Sequence, residues 1–440
     1  MTHALLVIAG VLFFAVGILA SIALHEIGHM VPAKLFGVRV SQYMVGFGPT
    51  LWSRTRGETE YGVKAIPAGG YVRLTGMIPP ENEVRPVKGT GWAARAIEDA
   101  RLSSVEEIIP GQEHRAFYRL SWWRKIIVMA GGPVMNLVIA LVIFTAIASI
   151  HGTLVPQPIV AGVVECVPAV DAEGECAAGD PPSAASAAGL LEGDVIVSSD
   201  GVPVEDWESL SAEIRGHGGV PMTLGLDRGG ELLTLTVTPT AADMPAYGAN
   251  GLVQHNPDGS IATKRVGFLG MSPTMAIVHQ NLAYGTTQTF SMLASTVAMI
   301  VRLPELVYHA GRTAFGLEER DPAGLMSVIG LGRIGGEIAS SDVTGYTAGD
   351  KFADMFGLIG ALNLALFGFN MIPLLPLDGG HIVGALWQGI KNGWARIRAL
   401  PVPRPVDIAR MMPIAYVVFV LLMGMGLLLM YVDVVDPVKI

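Results

Sequence analysis

His25-Glu26-Ile27-Gly28-His29 sets two imidazoles four residues apart with a carboxylate beside the first. On a helix that interval is about one turn, so both rings leave the same face and can hold one divalent ion. Zinc suits such a pair. It acidifies bound water toward a pKa of about 7, within reach of a neighbouring carboxylate. Glu26 stands where a general base for hydrolysis of a carbonyl would stand. A catalytic zinc takes a third protein ligand and keeps one position open. No convincing candidate lies just downstream, and the outstanding distant one is Asp378, in Asn370-Met371-Ile372-Pro373-Leu374-Leu375-Pro376-Leu377-Asp378-Gly379-Gly380-His381. On local grounds an Asp before Gly-Gly is a turn former. His381 reads as support behind a ligand and not as a ligand itself.

The elements that must position these residues are membrane elements. The 440 residues are 51% hydrophobic and 15% charged, well on the apolar side of a soluble protein. Three uncharged stretches are long enough to cross a bilayer: Ala4 to Leu24, Ile126 to Ile150 and Met411 to Val432. A fourth, Phe356 to Leu377, is also uncharged. Gly285 to Val301 is apolar but rich in Thr and Ser, and is read as an interfacial helix. The small residues Ala20-Ser21-Ile22-Ala23 resemble a signal cleavage site, yet no Lys or Arg precedes the apolar run as a signal requires.

Loop charges orient the chain. Val31 to Lys125 carries 14 Lys/Arg against 9 Asp/Glu, and Gly379 to Arg410 carries 5 against 1. Between them His151 to Met355 carries 9 against 24. The positive-inside rule then puts the first and third loops in the cytoplasm, and the acidic loop and both termini outside. The net charge of −9 comes from the exterior loop and argues against nucleic acid as a partner. Membrane parity now favours Asp378. HEIGH lies at the inner end of the first span, and the two crossings at 126–150 and 356–377 return Asp378 to that same face.

The fold class expected is a polytopic α-helical membrane protein with four transmembrane helices, membrane-associated β-hairpins and one extracytoplasmic PDZ-like β-rich domain. Residues 1–36 form the first helix with HEIGH, 37–125 the cytoplasmic hairpins and a peripheral segment, and 126–150 the second helix. Residues 158–240 form the PDZ-like domain and 241–351 a linker with the interfacial helix. Residues 352–381 form the third helix, and 411–432 the fourth. The hairpins are punctuated by Gly46-Phe47-Gly48-Pro49, Arg56-Gly57-Glu58 and Pro67-Ala68-Gly69-Gly70. The exterior module shows a β-rich run Ile159 to Val167, a helical stretch Trp207 to Arg215, and two strands flanking a Gly229-Gly230 turn. An acidic insertion, Asp171 to Asp180, interrupts it. Its pattern resembles a PDZ domain, which captures extended peptides at a sheet edge; a plain spacer domain is the alternative. The two cysteines, Cys166 and Cys176, lie there, where an oxidising compartment permits a disulfide; two unpaired thiols remain the other reading.

Together HEIGH, Gly46 to Pro49, Gly69-Gly70-Tyr71-Val72, Gly132-Pro133 with Asn136, Asn370 through His381 and the interposed module resemble the site-2 protease family of intramembrane zinc metalloproteases. The single module is similar to the bacterial, regulator-of-sigma-E-protease-like members that cut anti-sigma factors, particularly the actinobacterial branch. The resemblance implies zinc bound by His25, His29 and Asp378, with Glu26 catalytic. It implies that Gly46, Phe47, Gly48, Gly69, Gly70 and Tyr71 receive an unwound substrate segment, and that Asn370 handles substrate; a capping role for Asn370 is the alternative. The substrates implied are single-span membrane proteins such as anti-sigma factors, already cut outside by a site-1-type protease. The setting implied is the bacterial inner membrane and its lipid. A membrane scaffold built on the PDZ-like module is the main alternative. A transporter would favour paired repeats and charged midplane residues, neither of which is evident.

Overall fold

The computed structural model describes all residues except 1, 88, 168–175, 177–179, 247–253, 255, 257–259, 319, 321–323, 344 and 438–440. Most of the Asp171 to Asp180 insertion therefore lies outside the described residues. The chain forms two units, Met1–His151 with Asn281–Ile440, and Gly152–Gln280.

The first unit opens with helix α1 (Thr2–Leu35), which runs well past its uncharged core, through Pro32, and ends before Gly37 at positive φ. Strands β1 (Val40–Arg56) and β2 (Thr59–Leu74) follow. Each is folded on itself: Tyr43 pairs with both Tyr61 and Val72, and Arg54 also pairs with Tyr61. The result is a four-stranded antiparallel patch with the 70–74 run at one edge. Its corners fall at Gly46, Gly48, Gly57 and Gly69, all at positive φ, where the sequence places turns. Helix α2 (Trp92–Glu106) is peripheral, and its buried Arg101 is held by Asp407 at 3.0 Å. Helix α3 (Trp122–Ala146) continues as a wider turn to His151.

The second unit contains β3 (Thr153–Val163), α4 (Ala184–Ala188), β4 (Val195–Ser199), β5 (Val202–Pro203), α5 (Trp207–Gly216), β6 (Met222–Arg228), β7 (Glu231–Val237), β8 (Thr240–Pro245), β9 (Thr263–Phe268) and β10 (Met271–Val278). Its main sheet runs β10-β3-β4-β6-β7, with β5 beside β4. The Gly229-Gly230 turn closes β6 on β7 in the expected register, Arg228 opposite Glu231. Val160, Leu190, Ile196, Leu210, Leu224 and Leu226 fill the core. Asp194, buried beneath it, accepts from Arg228 at 2.7 Å and from the Leu191 N–H at 2.9 Å. Cys166 and Cys176 are joined by a disulfide.

The compact unit extends beyond the 158–240 expected for the module. Thr240–Pro245, read as the start of a linker, is a strand paired with Thr263–Phe268, and Met271–Val278 completes the sheet against β3. The pairing of β10 with β3 joins residues more than a hundred positions apart, such as Val278 with Thr153, so no local pattern announces it.

The first unit resumes with α6 (Leu282–Val301), α7 (Leu303–Ala314), α8 (Val328–Ser340), α9 (Ala348–Asn370), α10 (Asp378–Ile397) and α11 (Met412–Val435). Among the described residues, four helices are long and apolar enough to cross a membrane: His3–Leu35, Trp122–His151, Ala348–Asn370 and Ile408–Val435. The third stops at Asn370 and not at Leu377: Pro373 and Pro376 each lack the N–H a helix needs, and the chain turns there instead of running on. Helix α6, expected at an interface, lays one side against the bundle, where Met292 and Leu293 meet the Ala140, Phe144 and Leu364 cluster of α3 and α9. Three of its four threonines are satisfied within the helix: Thr286, Thr289 and Thr296 each donate to a carbonyl one turn back, at 2.7 to 2.9 Å. At its end the chain bends by 67° into α7.

Candidate metal centre

Three elements converge on one point. α1 carries His25, Glu26 and His29. α3 crosses it so closely that the Cα positions of Gly28 and Gly131 each face the other's carbonyl, leaving no space for a β-carbon on either. α10 begins with Asp378, delivered by the tight turn after α9. Gly379 and Gly380 press against the backbone of Ile372 and Leu375 there, with no room for side chains, and so fix the direction in which Asp378 leaves the turn.

The Nε2 atoms of His25 and His29 lie 3.2 Å apart, and Asp378 Oδ2 lies 3.5 and 3.4 Å from them. A tetrahedral zinc with bonds of about 2.0–2.1 Å has ligand-to-ligand edges of about 3.3–3.5 Å. The three atoms thus already form one face of such a tetrahedron, and the group could hold a metal ion. The far sides of the rings fit that reading. His29 Nδ1 donates to the Val128 carbonyl at 2.8 Å, leaving Nε2 unprotonated toward the centre. The Asn136 amide faces His25 Nδ1 at 3.1 Å, and its Oδ1 is buried without a partner. Turning that amide so that Oδ1 accepts from Nδ1–H satisfies the orphan oxygen and frees His25 Nε2 in the same step.

Residues 13–412 match the profile of peptidase family M50. The chain is 33% identical to the zinc metalloprotease Rip1 of Mycobacterium tuberculosis over 98% of its own length and 99% of that protein's. The chain belongs to peptidase family M50. The Rip1 of Mycolicibacterium smegmatis is 32% identical over 98% of both chains, and the metalloprotease MmpA of Caulobacter vibrioides 24% over 84% of both. The protein is accordingly a zinc metalloprotease of the site-2 type.

In this M50 protease one of the strand residues singled out in the sequence, Gly70, stands beside Glu26, and the others lie on the strands around it. Gly70 lies against Glu26 and Ile22; a β-carbon there would come within 3.2 Å of Glu26 Cγ. The Val72 N–H points at the Glu26 carboxylate. Gly69 sits under the Phe47 ring, which stacks on Tyr71 at 6.1 Å. Tyr43 fastens the sheet to α1 by donating to the Ala23 carbonyl at 2.8 Å, and burial pushes its phenol up to about 12, so that proton stays. Gly46 and Gly48 form the adjoining corner. Asn370 ends α9 half-buried, and its side chain makes no hydrogen bond among the described residues.

Two features escape a reading by residue type. Gly132 faces the two Nε2 atoms directly: a β-carbon there would fall 2.7 Å from His25 Nε2 and closer still to His29 Nε2. Its absence makes room for an ion. The Val128 carbonyl is equally invisible in side-chain terms. The clue to both is the small-residue pair Gly131-Gly132 in an apolar helix, matched by Gly28 inside HEIGH, since such residues let helix backbones touch.

Proposed function

We propose that the protein is an intramembrane endopeptidase in which His25, His29 and Asp378 hold zinc and Glu26 is the general base. The observation that carries this is the triangle of donor atoms with edges of 3.2 to 3.5 Å beside a carboxylate. When bound, zinc supplies Lewis acidity that acidifies water and polarises a carbonyl oxygen. Glu26 takes the proton of the attacking water and passes it to the leaving amine. Substrate enters as an extended segment beside residues 70–74, the sheet edge nearest Glu26, with Phe47 and Tyr71 against its side chains and Asn370 engaging its backbone. A helix must unwind to present a peptide bond there, because its own hydrogen bonds shield it.

The substrate class proposed is single-span membrane proteins, anti-sigma factors foremost, already cut outside by a site-1-type protease. The loop charges support an inner-membrane orientation with the metal centre toward the cytoplasm and both termini outside. The sheet order and the two short helices of the Gly152–Gln280 unit support its reading as a PDZ-like module on the extracytoplasmic side. There it holds back substrates with bulky ectodomains.

The decisive experiment compares wild type with Glu26→Gln in detergent or vesicles, measuring zinc content and cleavage of a candidate single-span substrate. Glutamine keeps the shape but accepts no proton, so zinc should stay near one per chain while cleavage falls by at least a hundredfold. Cleavage near the wild-type rate would move the base elsewhere.

A further inference from the structure

Helix α10 has two uses on its two sides. Ile382, Ala385, Gln388 and Ala395 are buried against the bundle. On the other side Val383, Leu386, Trp387, Ile390, Trp394 and Ile397 form an apolar ridge, each at least 44% exposed. Trp387 belongs to the ridge and also lines a cavity of about 760 Å³.

That cavity is cationic. Arg85, Lys391, Arg404 and Arg410 line it, and Asp407 is its one acidic lining residue. Asp407 is already engaged, by Arg101 at 3.0 Å and Arg410 at 3.1 Å. Lys391 and Arg404 are held by backbone carbonyls, donating to Arg404 O at 2.9 Å and Val84 O at 3.0 Å. Carbonyls position these groups and leave their charge unneutralised. Burial, with the charge of Arg85 adding, lowers the pKa of Lys391 below the usual lysine value. Among the described residues, no acidic side chain pairs with Arg85, Lys391 or Arg404. Such a cluster lacks an anion, and the ridge continuous with it through Trp387 lacks an apolar cover. One molecule with both parts meets both needs, and an indole at the junction suits a boundary between apolar and polar surroundings.

We propose that this cavity binds the phosphate headgroup of an anionic phospholipid, whose acyl chains lie along the α10 ridge. The lipid would then hold the helix whose first residue is Asp378.

The test uses the delipidated full-length protein in a mild detergent, with bound lipid counted by native mass spectrometry. Phosphatidylglycerol, phosphatidylcholine of the same chains, glycerol 3-phosphate and inorganic phosphate are titrated separately. Phosphatidylglycerol should bind at least about tenfold tighter than phosphatidylcholine. A cation near a membrane surface contributes about fivefold in affinity for anionic lipid, so Arg85→Gln/Lys391→Gln/Arg404→Gln should weaken phosphatidylglycerol on the order of a hundredfold. Zinc content should be unchanged. Arg54→Gln/Arg95→Gln/Arg396→Gln removes the same charge from exposed sites outside the cavity and should stay within about twofold of wild type. If the triple variant does not fold, Lys391→Gln alone should show the fivefold loss. The proposal is overturned if the cavity variants keep wild-type affinity, or if the control variant loses as much. Saturation by glycerol 3-phosphate or inorganic phosphate at the concentration that suffices for the lipid would overturn the lipid assignment in favour of a soluble phosphate.

Discussion

Replacing Gly132 by alanine adds one methyl group at the point where three elements meet. That methyl would stand 2.7 Å from His25 Nε2 and nearer still to His29 Nε2. Non-bonded carbon contacts settle at about 3.5 Å, so at least about 0.8 Å must be found. α3 cannot supply it by sliding, because its backbone already touches α1 at Gly28 and Gly131, so the imidazoles must turn away. Metal sites tolerate about 0.2 Å in ligand position, a quarter of what is required. The methyl and the ion compete for one space. Zinc affinity should therefore fall by at least a hundredfold, more than the ten- to hundredfold typical of losing a supporting hydrogen bond. Folding need not suffer, since alanine is favoured over glycine in a helix by about 1 kcal/mol. The assay pairs zinc content of the purified protein with thermal melts in chelator and in added zinc. Wild type and variant should melt within a few degrees of each other without metal, and zinc should raise the melting temperature of wild type alone. Wild-type zinc affinity in the variant would refute the reasoning, whatever its activity.

Further outcomes follow from the same contacts. Asp378→Ala should strip zinc nearly completely, whereas His381→Ala should lower occupancy far less, both read by metal analysis. Asn136→Leu deprives His25 Nδ1 of its acceptor and should weaken zinc by about ten- to hundredfold, seen as zinc lost to a graded chelator. In the β-rich unit, Arg228 holds the Asp194 carboxyl below the usual range, so its stabilisation is complete above a pH of about 4 and fades as pH falls through the lowered value. Asp194→Asn should weaken that unit near neutral pH and flatten its acid dependence, measured by hydrogen exchange of residues 152–280 in the full chain.

The grouping of His25, His29 and Asp378 was legible because it rests on side-chain type and spacing. HEIGH needs only a helical turn, and Asp378 followed from counting crossings. Corners at Gly46, Gly57 and Gly69 were legible because a positive φ selects glycine. What was hidden depends on partners distant in sequence. The strand Met271–Val278 has no meaning until it meets Thr153–Val163, and Gly132, although it stands in the Gly132-Pro133 pair, shows no role of its own until the imidazoles stand over it. The end of α9 was misplaced for a simpler reason. Hydropathy sees no difference between Phe367 and Leu377, whereas backbone geometry does, at Pro373 and Pro376.

The same distinction between hydropathy and packing explains α6 and α7, and with them the parity that brings Asp378 to the histidines. α3 and α9 run antiparallel, since Phe144 meets Gly360 while Ala140 clusters with Leu364. α6 starts where Gly285 meets Thr145, at the far end of α3 from the metal centre, and descends until Ile300 meets Gly368. A full crossing would leave the chain at the wrong end of the bundle. Instead it bends by 67° into α7, and beyond α7 Arg320 closes a buried ion pair with Asp433 near the end of α11. Asp433 also accepts from the Ser327 N–H, fixing the start of α8. Through Gly335 and Gly336, α8 then packs on Gly10 and Val7, the end of α1 remote from His25. Both ends of the 282–320 excursion therefore lie at one end of the bundle. The excursion adds no net crossing, and α9 can run from that end down to the turn that presents Asp378. Removing either partner would leave the other charge buried and unpaired, at a cost of about 3–5 kcal/mol, so Asp433→Ala should destabilise the fold where the excursion returns.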